Sequence, residues 1–122
     1  MMKIESQDDN QKKITILRSE LKTLSWSLTT INNFENSTQL ENWDFVFSEE
    51  LEEKINTVLR KTQEKIIVLF LSTLETSFLL TAHILCLEIV GKNYSTYTGI
   101  SWEEAAALKE QIGDQFIDFV KQ

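Results

Sequence analysis

The chain of 122 residues contains no proline, three glycines, one cysteine and two arginines. With so few turn-forming residues, a β-sandwich or barrel built from many tight turns is disfavoured. The single cysteine, Cys86, excludes an internal disulfide framework. Glycine-rich phosphate loops, Ser/His/Asp motifs and paired catalytic carboxylates at defined spacing are missing from the sequence. Two arginines in a chain of net charge −7 make a poor match to a nucleic-acid backbone, which demands clustered cations. No direct nucleic-acid contact is therefore expected. The first residues are polar and lack the apolar core of a secretory signal, so the expected compartment is the reducing cytoplasm.

What is present is ordinary for a globular chain: 42% hydrophobic and 25% charged residues, enough for one modest core in one domain. Residues 1–8 read as a polar N-terminal arm and residues 9–122 as a single helical domain. Ile14, Leu17, Leu21, Leu24, Leu28 and Ile31 recur at alternating steps of three and four, the seam spacing of a packed or coiled helix. Asp8 or Asp9 would cap its start. Residues 43–47, rich in aromatics, read as a plug over a helix end, with a short strand as the rival. Ser48, followed by Glu49 and Glu50, reads as the N-cap of a second helix.

No glycine or proline interrupts residues 48–90. A single helix of that length would be about twice as long as a compact domain of this size is wide. Ser72 and Glu75, spaced as a capping box, mark the expected break. Gly91 is placed as a helix C-terminus and Ser101 with Glu104 as a second capping box. Ala105, Leu108, Ile112, Phe116 and Phe119 then form an inner stripe, and Gly113 within it suggests close approach of another backbone. The fold expected from these patterns is an all-α antiparallel four-helix bundle. The alternative is a small α/β domain with a buried strand near 65–71, because a short apolar run does not by itself separate helix from strand.

Residues 66–90 are apolar except for Glu75, His83 and Glu88, and are long enough to cross a bilayer. An acid near the centre of a span costs at least about 2.5 kcal/mol, so a membrane-associated protein stays an alternative rather than the preferred reading. A core helix is preferred, with a homodimer covering part of it or of the first helix's seam. His83 and Cys86 lie one turn apart, and Glu75 is the remaining acid of that segment. Together they form a candidate buried polar, small-ligand or metal-binding site, although zinc prefers four ligands with paired spacings. No metal or cofactor is expected.

Positions 41–53 carry six acids and no base. Trp43, Asp44, Phe45, Phe47, Glu49, Glu50 and Glu53 combine aromatic anchors with a charged rim, an arrangement suited to docking. The expected function is a small interaction or regulatory module that binds another protein, one of basic character, without catalysis.

Overall fold

A computed structural model describes the backbone of residues 2–8, 10–34 and 40–121, and the side chains of that set as far as Asp114. The first elements are strands: β1 (Met2–Asp8) and β2 (Gln11–Leu17) form an antiparallel hairpin. The Asp8 carboxylate accepts the Asn10 N–H at 2.8 Å, so it shapes a turn rather than capping a helix. β2 leads directly into α1 (Arg18–Asn32), followed by α2 (Phe45–Lys61), β3 (Ile66–Ser72) and α3 (Thr73–Val90). A 3₁₀ turn at Gly91–Asn93, a short α4 (Tyr94–Thr98) and α5 (Trp102–Lys121) follow.

The sheet has the order β1-β2-β3 and is antiparallel throughout. Helices cover one face of it. Met2, Ile14, Ile16, Ile67, Leu69 and Leu71 are buried on that side, against helical layers that supply Leu21, Leu24, Leu28 and Ile31 from α1. α1 is central, packing on both α2 and α3, while α5 packs against α3 and β1. Each buried Leu or Ile contributes about 1.5–3 kcal/mol relative to exposure, so these rows dominate the stabilising side of the balance.

The all-α four-helix bundle is thus corrected to a mixed fold, a three-stranded antiparallel sheet plus helices. The apparent seam from Ile14 to Ile31 crosses a strand–helix junction. Ile14 points inward from β2 and Leu17 is the residue before the first turn of α1. Beneath that spacing lies the period-two pair Ile14 and Ile16, both buried, with Lys13 and Thr15 on the opposite face. The residues read as a polar arm form β1, where Met2 is buried and Ile4 packs against the core. The strand weighed near 65–71 exists as β3, but it lies at a sheet edge rather than buried on both faces: Ile66, Val68 and Phe70 are about half exposed. β-branched Ile66, Ile67 and Val68 favour strand over helix here. The first helix's seam is used inside the chain, since Leu21, Leu24, Leu28 and Ile31 are fully buried.

Both strand–helix junctions share one device. The Glu20 carboxylate accepts the Leu17 N–H at 3.0 Å, and the Glu75 carboxylate accepts the Ser72 N–H at 2.8 Å. Ser72 also takes the Glu75 N–H, so the expected capping box is formed. The first helical residues remain tied to the sheet: Arg18 donates to the Lys65 carbonyl and Thr73 to the Asn10 carbonyl. Gly91 ends α3 with a positive φ of 53°, as its placement in the sequence suggested. Gly113 is exposed, and an added Cβ there meets nothing within 4 Å, so it is not a point of close approach. Phe116 and Phe119 lie beyond the described side chains.

Candidate functional site

α2 begins four residues earlier than its sequence pattern suggested. Asp44, not Ser48, is the N-cap, its carboxylate accepting the Phe47 N–H at 3.1 Å. Ser48 is instead buried and donates to the Asn32 side-chain carbonyl at 2.6 Å. Asn32 in turn donates to Glu52, which also accepts from the Thr29 hydroxyl. Glu52 therefore joins α2 to α1.

The aromatic residues face inward to varying depth. Trp43 and Phe47 each stack at 4.6 Å on Phe78 of α3, with tilted rings. Phe45 is half-buried and packs against the core. The Trp43 indole nitrogen is buried without a hydrogen-bond partner. Glu49, Glu50 and Glu53 point to solvent, and Val46 beside them is 70% exposed. Positions 46, 49, 50 and 53 form one helical stripe, opposite the buried Leu51, Ile55 and Leu59. Glu53 makes a loose ion pair of 3.7 Å with Arg60. Of the seven residues expected to dock a partner, the three glutamates are thus presented outward, and Trp43, Asp44, Phe45 and Phe47 serve the fold.

Glu75, His83 and Cys86 do not converge. Glu75 sits at the start of α3, where Lys54 bonds its carboxylate at 3.0 and 3.1 Å. Partial burial pushes this carboxyl up, but the Ser72 N–H and Lys54 outweigh that and hold it below its ordinary value. His83 and Cys86 are fully buried and share Ser27 as a neighbour. Among the described residues no group of three His, Cys, Asp or Glu could hold a metal ion.

His83 lies in a chain of buried hydrogen bonds whose direction follows from one partner. Its Nε2 is 2.9 Å from the Ala105 carbonyl, which can only accept, so Nε2 carries the proton. Nδ1 then accepts from the Ser27 hydroxyl at 2.7 Å. Having given its proton to His83, Ser27 accepts from the Tyr94 hydroxyl at 2.6 Å. Tyr94 also lies 3.3 Å from the Thr23 carbonyl. The chain braces α1, α3, α4 and α5. Burial lowers the His83 pKa to about 4, aided by repulsion from Lys109 and opposed by the Ala105 bond. Burial raises Cys86 to about 11 and Tyr94 to about 12. Burial thus favours the protonated thiol at Cys86, and Ser27 is fully enclosed.

Compared with protein-family models, curated proteins and solved structures, the chain matches none.

The partners of His83 had one signal in the sequence. Ser27 is three residues after Leu24 and four before Ile31, a polar residue on the apolar stripe of α1. Tyr94 had none, since it lies between the helix end at Gly91 and the capping box at Ser101. The helical stretch Thr73–Thr98 is apolar and long enough to cross a membrane by length and composition. Within the chain its Leu79, Leu80, Ala82, His83, Cys86 and Leu87 are buried, and the preceding residues of the apolar segment are strand.

Proposed function

We propose that the protein is a non-catalytic interaction module that binds a basic segment of another protein across the outer face of α2. The observation that supports this reading is the stripe of Val46, Glu49, Glu50 and Glu53: one exposed apolar side chain among acids, on a rigid helix whose opposite side is core. Carboxylates fixed on a helix attract a cationic partner and set its orientation, while the apolar contact supplies affinity. The anchoring of α2 through Asp44, Ser48 and Glu52 means that the surface needs no ordering on binding.

The test is titration of the protein with a set of basic amphipathic peptides, followed by tryptophan fluorescence and calorimetry. The expected result is saturable, salt-sensitive binding that is lost on combined Glu49→Lys, Glu50→Lys and Glu53→Lys substitution, with the melting temperature little changed. Equal binding by the triple variant, or no binding by the natural chain, would refute the assignment.

A further inference from the structure

The two outer edges of the sheet differ. β1 is polar along most of its length, with Lys3, Glu5, Ser6, Gln7 and Asp8, and its pairing with β2 shifts register between Ser6 and Asp8. The Met2 N–H at its start is bonded to Gln111 of α5. Charge, irregularity and a covering helix are common ways of keeping an edge from pairing.

β3 has none of these along Ile66 to Phe70. Its hydrogen-bond parity is set by the two flanking bonds, Arg18 N–H to Lys65 and Thr73 N–H to Asn10. Since paired residues alternate along an antiparallel ladder, Ile67, Leu69 and Leu71 exchange bonds with β2. Ile66, Val68, Phe70 and Ser72 turn their backbone groups away from it. Ser72 satisfies its N–H through Glu75. Ile66, Val68 and Phe70 have both an outward backbone and an apolar side chain that is 47–51% exposed.

We propose that β3 pairs antiparallel with β3 of a second copy, about a two-fold axis at Val68, to give a continuous sheet across a homodimer. The outward backbone groups call for a strand rather than a helix or a lipid surface. The occupant is a second copy because the strand matches itself. Centring on Val68 sets Ile66 of one copy beside Phe70 of the other, and Ile67 beside Leu69 on the helix-covered face. About six main-chain hydrogen bonds form, and both apolar ridges leave water together. The charges at the two ends of the strand are complementary as well. Arg18, Lys22 and Lys65 line a shallow cavity at the Lys65 end. Asp8 and Glu75 line the opposite end with Lys54. With Glu75 paired to Lys54, the two-fold brings Arg18, Lys22 and Lys65 of each copy toward the Asp8 end of the other, offsetting part of the repulsion between chains of net charge −7.

The experiment is light scattering across a concentration series, with Val68→Lys and Val68→Cys alongside the natural chain. The natural chain is expected at twice its mass of 14.2 kDa. Val68→Lys, with two cations at the axis, is expected to be monomeric with unchanged circular dichroism and melting. Facing Cα atoms in a hydrogen-bonded pair lie about 5.5 Å apart, within disulfide reach, so Val68→Cys is expected to cross-link on mild oxidation. Cys86 is buried and does not compete. A monomer at every concentration, a dimer that survives Val68→Lys, or a Val68→Cys chain that does not cross-link would each overturn the proposal. None of these results bears on peptide binding at α2, which the glutamate variants test independently.

Discussion

Acidification is the simplest perturbation that reaches the chain from Tyr94 through Ser27 and His83 to Ala105. A proton added at Nδ1 would end its acceptance from Ser27, force the hydroxyls of Ser27 and Tyr94 to reverse their bonds, and place a cation in the core beside Lys109. In the unfolded chain the imidazole takes up its proton near pH 6.5, and in the folded chain only at about 4. Between these values the unfolded state binds more protons, so stability rises with pH across that window. It is complete above about pH 6.5 and lost by about pH 4. The gap corresponds to about 3 kcal/mol from this one side chain, a large fraction of the total stability of a small domain. Carboxylates titrate in the lower part of the same range, so the His83 contribution is read as a difference. Urea unfolding from pH 4 to 8 should show a steeper loss in the natural chain than in His83→Gln. That variant can donate to Ala105 and accept from Ser27 but takes no proton. His83→Gln should be less stable at pH 8 and should converge with the natural chain on acidification. A native His83 pKa near 6.5 by NMR, or parallel stability curves, would refute the reasoning.

Gly113 is an exposed helical glycine with open space where a Cβ would lie, so Gly113→Ala should stabilise by about 0.5–1 kcal/mol, measured by thermal melting. Ser72→Ala removes the hydroxyl that receives the Glu75 N–H and should cost about 1 kcal/mol in urea unfolding. Trp43→Phe deletes a buried indole N–H that has no partner while keeping a ring against Phe78; the lost area and the removed polar atom should offset, leaving a change below about 1 kcal/mol.

Much of the helical half was legible. The inward placement of Ala105, Leu108 and Ile112, the capping box of Ser72 and Glu75 that starts α3, and the end of α3 at Gly91 follow from local chemistry that tertiary contacts did not overrule, whereas α2 ends at Lys61 instead of running on to Ser72. The sheet was obscured for two reasons. β2 passes into α1 without a loop, so a period-two segment and a period-3.6 segment merged into one apparent heptad stripe. β3 has no turn signal before it: residues 62–65 connect helix to strand without glycine or proline. In the candidate docking region the charges were readable because solvated acids need no partner. The aromatic residues were not, because their destination on Phe78 lies on another helix. Likewise, His83 and Cys86 were visible as neighbours one turn apart, but the serine that joins them is 56 residues away from His83 along the chain.

The junctions at Leu17 and Ser72 leave no hinge between layers. At each, the last strand residue gives its N–H to a glutamate in the first helical turn, and the first helical residue gives its own to a neighbouring segment of the sheet. A rotation of α1 or α3 would therefore tear the sheet before it bent the chain. Opening motions that expose single elements are suppressed, and the amides of Arg18 and Thr73 should exchange with solvent as slowly as those of the buried core, through unfolding of the whole unit.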